Sequence, residues 1–311
     1  MRILILGAGG VGGFYGAHLL SVGCDVTFLV RPKRAAQLAE TGLTMLSPLG
    51  NLRLPPPPTV LSGEIGTLWD LILLSCKSYD LGSSIDAIAP AVGPETSILP
   101  LLNGMVHMDT LDQRFGRACI LGGVTNVSAV RDPAGRILHL NQLDSVDFGD
   151  RDDPSGARIN RVAEALSNAG FATNLSPQVL QDMWNKWVGI SSVAGFTCLM
   201  RAAVGDFVAA GAAPLYLQFL EECVSIAAAE GYPISSEYHS YLVSKFTEPG
   251  SSFSTSMLRD IELGSKIEAG QIIGALFERA RKHNLNAPLL GVVNANLRSY
   301  EERRERELKQ T

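Results

Sequence analysis

The chain changes its hydrophobic period part-way along. In the first half, short apolar runs alternate with amphipathic stretches; in the second, only the helical period survives. Residues 3–6 are an uninterrupted apolar run, short enough for a strand buried on both faces. Residues 13–21 read as a helix ending near Gly23, 25–30 as a second strand and 32–40 as a second helix. A small hairpin is expected over 43–46 and 51–54, about Pro48–Leu49–Gly50, followed by a stiff polyproline spacer at 55–58. Buried strands are expected at 69–75 and 97–102, with a helix at 84–89 between them. Pro100 cannot donate to a ladder, so the strand over 97–102 suits an edge or a bulge. Strands at 119–121, 124–130, 137–140 and 146–148, a helix at 157–169 and a strand at 171–175 complete this half.

Beyond residue 179 nothing reads as a strand. Helical patterns run over 179–192, 215–230, 235–245, 256–283 and 289–304. The fold class is α/β: a nucleotide-binding sheet domain over 1–177, then an all-helical domain over 178–311, with the boundary near Ser176–Pro177.

The turn out of the first strand carries the chemistry of that domain. Gly7-Ala8-Gly9-Gly10-Val11-Gly12 contains G-x-G-x-x-G between a strand and a helix. Gly7 makes the tight turn, Gly9 lets backbone N–H groups approach a pyrophosphate, and Gly12 brings the helix close to the strand. This context points to a dinucleotide site. At the end of the second strand, where an NAD-selective fold places an acid for the ribose 2′-hydroxyl, stands Arg31, with Lys33 and Arg34 behind it. Three cations with no carboxylate nearby in sequence suit a 2′-phosphate, so NADP(H) is the expected cofactor.

Composition narrows the class. The chain has 311 residues, 46% hydrophobic and 18% charged, enough for two well-packed domains. A net charge of −5 gives no basic footprint for nucleic acid. Five scattered cysteines without a C-x-x-C pair argue for reduced thiols, hence a cytoplasmic protein without a zinc site. No signal peptide is expected, because the first strand starts at residue 2, and the uncharged stretch 187–200 is too short to span a bilayer.

Two polar residues in the helical half stand out. Lys186 shares a helix flank with Met183, Ile190 and Val193, and no charge follows it until Arg201. It reads either as a snorkelling lysine or as a group placed in the cleft between the domains. Glu268 falls in the middle of an apolar face if 256–283 is one helix. Such a carboxylate is costly unless paired, so it reads either as half of a core ion pair or as a catalytic acid.

Taken in order, the segments resemble the ketopantoate reductase (2-dehydropantoate 2-reductase) family along the whole chain. The matching pieces are Gly7 to Gly12, Arg31, Lys77 in Ser75-Cys-Lys-Ser, Asn103-Gly104-Met105, Trp184-Asn-Lys186-Trp, Ser256-Met-Leu-Arg-Asp260 and Lys266-Ile-Glu268. The resemblance implies a Rossmann-type domain followed by a helical domain like that of 6-phosphogluconate dehydrogenase. It implies reduction of 2-dehydropantoate to pantoate by NADPH, a step towards pantothenate and coenzyme A. By position, Lys186 is the general acid, Glu268 holds the substrate hydroxyl and the cofactor end, and Ser256 meets the substrate carboxylate. Asn103 and Lys77 flank the nicotinamide and its ribose, and Ala129 supplies a backbone contact. Lys186 and Asn103 also touch substrate.

Three positions that are asparagine in well-studied members are Ile190, Ala194 and Phe253 here, which leaves the pocket more apolar. Arg201 is a candidate to take over carboxylate binding, or an exposed loop arginine. Two other readings stand beside ketopantoate reduction. One is reduction of a different, more apolar 2-oxo acid or carbonyl compound. The other is a non-catalytic NADP(H) sensor, which would need neither Lys186 nor Glu268. The expected partner is a small 2-oxo acid, with no nucleic acid and no membrane; a homodimer is left open.

Overall fold

The computed structural model describes residues 1–310. They form two compact units, one of Met1–Leu102 with His107–Met183, the other of Asn103–Val106 with the chain from Trp184 onward.

The first unit follows the apolar runs. Strand β1 (Arg2–Leu6) enters helix α1 (Gly10–Ser21), then β2 (Asp25–Leu29) and α2 (Pro32–Thr41). The hairpin β3 (Leu43–Leu46) and β4 (Leu52–Leu54) pairs antiparallel as expected. Next come the two-residue β5 (Thr59–Val60), β6 (Leu71–Leu74), α3 (Leu81–Ile88), β7 (Ser97–Pro100) and α4 (Val106–Phe115). Two long strands, β8 (Gly122–Arg131) and β9 (Ile137–Gly149), then α5 (Ala157–Leu166) and β10 (Thr173–Leu175) complete it. One sheet is parallel throughout, in the order β5-β2-β1-β6-β7. Pro100 is the last residue of β7, an edge strand of that sheet, where its missing N–H costs least. The second sheet runs β10-β9-β3-β4, with β8 antiparallel to β9.

Helix α1 is apolar all round because both sheets pack on it. A Cβ on Gly16 would strike the ring of Phe28 in β2, and one on Gly13 would strike Ile137 in β9. Phe14, Tyr15, Ala17 and Leu19 are buried between. The Tyr15 hydroxyl shares a hydrogen bond with Thr125 (2.6 Å) and donates to the Ser145 carbonyl (2.9 Å). Burial raises its pKa above the usual tyrosine value.

Three readings of this half need correction. The strands expected at 137–140 and 146–148 are one continuous β9. Its polar middle, which looks like a loop, is held by the β8 ladder and by Asn126, whose amide reaches Ser145 Oγ (3.0 Å) and Asp147 Oδ2 (3.1 Å). The strand expected at 119–121 is a 3-10 turn over Arg117–Cys119 and a single bridge from Ile120 to Ile98. Helix α4 carries too little apolar patterning to be seen in the sequence.

The second unit is helical. Helix α6 (Val179–Met200) extends past residue 192, followed by α7 (Val204–Ala209), α8 (Ala213–Ala229) and α9 (Ser236–Phe246). The uncharged stretch of α6 is the centre of this unit. Trp187, Val188, Val193, Phe196 and Cys198 are buried, and Phe196 packs edge-on against Phe207 (4.9 Å) and Tyr216 (5.5 Å). The stretch expected to be one helix over 256–283 is α10 (Ser256–Glu262), a loop, a π-helical turn (Gly270–Gly274) and α11 (Ala275–Lys282). Gly264, at φ +66°, stops α10, and the Ser265 N–H closes on the Asp260 carbonyl (2.8 Å). Helix α12 (Pro288–Leu308) ends the described chain. Among the described residues no helix is long and apolar enough to cross a membrane, no acid–His–Cys cluster could hold a metal, and the five cysteines are unpaired with one another.

Candidate active site

In the first unit, three of the four loop glycines answer a backbone demand. Gly7 sits at φ +91°, a region that a side chain disfavours, and its N–H donates to the Leu29 carbonyl (2.9 Å). A Cβ on Gly12 would lie 2.2 Å from the Gly7 oxygen, and one on Gly10 would lie 2.1 Å from the Ala129 oxygen. Ala129 thus meets the loop through its backbone, just past the β8 bulge. At Gly9 nothing lies within 4 Å, so that position is open. Val11 is half-buried. No side chain caps the N-terminus of α1 and no acid stands in its first turn. Open space, uncapped N–H groups and the helix dipole fit a pyrophosphate.

The parallel sheet places the loops after β1, β2 and β6 at one carboxyl edge, beside the reversal of strand order between β1 and β6. Lys77 is half-buried there and opens the turn Ser78–Asp80; Ser75 Oγ donates to the Leu6 carbonyl (2.7 Å), tying this loop to β1.

The cationic group at the end of β2 is not what the sequence implies. Arg31 is exposed, but Asp80 lies 3.3 Å from it, a carboxylate close in space though distant in sequence. The pair is surface-exposed and contributes little. Arg34 is buried and structural: its Nε donates to the Ala8 carbonyl (3.1 Å) and its Nη1 to Gln37 (2.7 Å), while Nη2 is buried without a partner. Burial, with Arg131 nearby, pulls its pKa down to about 10. Arg34 fixes the glycine loop; Arg31 and Lys33 remain as exposed cations.

The second unit holds the remaining candidates on interlocked segments. Lys186 is half-buried on α6, and Glu268 is 9% exposed between α10 and the π-turn. The Ile272 N–H closes on the Glu268 carbonyl (3.1 Å), an α-type bond that ties Glu268 to the start of the π-turn. Trp187, next to Lys186, donates its indole N–H to the Ile272 carbonyl (2.9 Å), and Ser191 Oγ approaches the same oxygen (3.3 Å). Asn103 is half-buried, and a Cβ on Gly104 would come within 2.9 Å of the Gln271 carbonyl oxygen, so their turn lies against the π-turn too. Ser256 is exposed as the first residue of α10, capped by Thr255, whose hydroxyl shares a bond with Thr197 of α6 (3.1 Å). Helix α6 is therefore bonded both to the π-turn and to the start of α10. The π-turn escapes the sequence reading; Gly270 and Gly274, four apart, are the signal that could reveal it.

Of the three apolar replacements, Ile190 alone is half-buried on α6, one turn past Lys186. Ala194 is 1% exposed, inside the core. Phe253 is exposed and packs on Phe246 (5.4 Å). Arg201 lines a different groove, whose walls include none of Lys186, Ser256 or Glu268.

Comparison with known proteins bears on the family. The family description "Ketopantoate reductase PanE/ApbA" matches residues 3–153, and that of its C-terminal domain matches 178–301. The chain is 35% identical to the uncharacterized oxidoreductase YkpB of Bacillus subtilis (strain 168), over 97% of this chain and 99% of that protein. It is 26% identical to the 2-dehydropantoate 2-reductase of Halobacterium salinarum, over 93% and 95%. The 2-dehydropantoate 2-reductase structure from Geobacter metallireducens superposes with a TM-score of 0.86 at 27% identity, over 96% and 99% of the two chains. A ternary structure of D-mandelate dehydrogenase with NADH and anilino(oxo)acetate has the same fold, with a TM-score of 0.86 at 22% identity over 98% and 99%. The chain belongs to the ketopantoate reductase family of oxidoreductases.

Proposed function

We propose that the protein reduces a 2-oxo acid to the 2-hydroxy acid with NADPH, 2-dehydropantoate to pantoate being the first reading. The observation that supports it best is the interlock just described: a half-buried lysine and a buried carboxylate on two segments that share hydrogen bonds around one π-turn. The bound nicotinamide supplies the hydride. Lys186 then gives its proton to the carbonyl oxygen as that oxygen gains negative charge. Glu268 accepts the substrate hydroxyl, Ser256 meets the carboxylate, and Asn103 orients the reacting end. In the first unit, Gly7 to Gly12 hold the pyrophosphate, Ala129 and Lys77 border the cofactor, and Arg31 with Lys33 take the 2′-phosphate. Half-burial of Ile190 favours one variant of this reading, a substrate bearing a more apolar side chain than 2-dehydropantoate. A site without a hydrogen-bonding group discriminates weakly for that feature.

The test is NADPH oxidation by the purified protein over a panel of 2-oxo acids, with Lys186→Ala alongside. Loss of a positioned general acid should lower kcat by about two to four orders of magnitude, with NADPH fluorescence still reporting binding. Turnover of no 2-oxo acid, or undiminished turnover by Lys186→Ala, would overturn the reading.

A further inference from the structure

A cluster of arginines lies away from both sets of candidate residues. A groove of about 710 Å³ runs between the end of α6, α10 and the last turns of α12. Arg201, Arg298, Arg303 and Arg306 line it with one carboxylate, Glu302, and Asp260 and Glu262 lie close enough to act on Cys198 in the same wall. Among the described residues Arg201, Arg298 and Arg306 enter no ion pair, and Arg303 has only an exposed one with Glu307 (3.7 Å). In a chain of net charge −5, such a cluster is not the average surface.

The arginines are held on a fixed frame. Residues 298, 302 and 306 recur at four-residue spacing on one face of α12, and 299 and 303 adjoin it. Tyr300 donates its hydroxyl to the Ser265 carbonyl (2.7 Å), and Arg304 Nε donates to the Gly264 carbonyl (2.9 Å), pinning α12 to the loop after α10. Arg201 comes from the other wall, at φ +53°. It takes the position after α6 that glycine usually fills, with the Ala202 N–H closed on the Thr197 carbonyl (3.2 Å). A long charged residue is thus kept in a backbone state that costs free energy, in the wall of a groove that three other arginines line. Cys198 and Ile261 give the floor a small apolar area. Burial pushes the Cys198 thiol up to about 12, so it adds no negative charge.

We propose that this groove binds a small anion with two or more phosphate charges, at a site separate from the Gly7–Gly12 loop. Guanidinium groups take phosphate oxygens through paired N–H donors, and Ser299 and Asn296 offer neutral donors beside them. The volume accepts a ligand of nucleotide size, its phosphates on the arginines and an apolar part against Ile261.

The probe is inorganic pyrophosphate, titrated calorimetrically into the whole protein at fixed ionic strength with NADPH saturating, so that the glycine loop is filled. One binding event is expected. Arg201→Gln with Arg306→Gln should weaken it by about tenfold or more, the effect of losing charge-assisted contacts. Arg53→Gln with Arg281→Gln, which removes equal charge from exposed positions elsewhere, should leave the affinity within about twofold. If the groove double variant does not fold, the exposed Arg298→Gln alone should still weaken binding, by about threefold or more. No binding by the wild type, or equal loss in both double variants, would overturn the proposal.

Discussion

Trp187 is joined to Ile272 by an indole N–H that donates to the backbone carbonyl at 2.9 Å. The bond crosses from the residue beside Lys186 to the π-turn that follows Glu268. A π-turn frees carbonyls from the regular ladder, and a freed carbonyl buried without a donor is costly. Ile272 is buried, and Trp187 and Ser191 both place side-chain donors on its carbonyl.

Trp187→Phe keeps a large ring and deletes only the donor. With Ser191 still near the oxygen, the cost in stability should be about 1 kcal/mol. If the turn sets where Glu268 stands, kcat should fall by roughly three- to tenfold with little change in the NADPH KM, in line with lost positioning. Steady-state kinetics and a thermal melt on the same preparation read both. A stability loss with unchanged kcat would make the bond purely structural.

Arg31 and Arg34 should separate cleanly. Arg31→Gln removes an exposed charge and leaves the loop intact, so it should raise the NADPH KM by about ten- to hundredfold, for about 1.5–3 kcal/mol of lost phosphate contact, and barely move that for NADH. Arg34→Met removes the donor to Ala8, so it should weaken both dinucleotides together. The ratio of NADPH to NADH constants in each variant decides it. Equal loss for both cofactors in Arg31→Gln would sink the 2′-phosphate assignment.

Ile190→Asn should move selectivity towards a substrate with a hydroxyl. Ile190 lies four residues after Lys186, on the same side of α6. One hydrogen bond contributes about 0.5–1.5 kcal/mol, a few-fold to tenfold in kcat/KM for 2-dehydropantoate over an apolar 2-oxo acid. Ala194→Asn should fail differently: Ala194 is 1% exposed, so an amide there would be buried and should lower the melting temperature. Unchanged selectivity in a folded Ile190→Asn would remove this residue from the pocket.

Glu230 should set part of the acid sensitivity. Burial alone would raise its pKa, but His283 (2.6 Å), Lys282 (3.0 Å) and Arg279 (3.5 Å) outweigh that and hold it below the usual carboxylate value. A depressed folded-state pKa adds stability above the unfolded value, about 4.3, and that stability is lost as pH falls through the folded one. Glu230→Gln should therefore be less stable than wild type at pH 7, by about 1–3 kcal/mol. The gap should close as pH drops below about 4. A gap independent of pH, in paired thermal melts, would refute this.

The sequence is most legible where a residue type answers a backbone need. Gly7 and Gly12 carry the loop geometry on their face, and Pro100 announces an edge. The apolar runs of β1 and β6 could be nothing but buried strands. What is hidden is whatever depends on distant partners. Asp80 neutralises part of Arg31 from 49 residues away, and Arg34 turns inward to Ala8, though all three cations of that cluster look alike in sequence. The 256–283 stretch keeps a helical period across Gly264, so periodicity alone gives it one axis. In fact Glu268 is buried on irregular backbone and not on the face of a continuous helix. Its burial is right for a reason the pattern did not contain.

The double cover on α1 has a consequence for how such a protein could diverge. Gly10, Gly12, Gly13 and Gly16 each meet another segment within 2.6 Å of where a Cβ would stand. Drift at any of them would have to be matched by a simultaneous change in β8, β9, β2 or the loops after β1 and β6. Arg31, Lys33 and Asp80 touch no such wall. Over generations the cradle is therefore frozen while its rim is free, and a lineage that switched cofactor would record the switch at the rim alone.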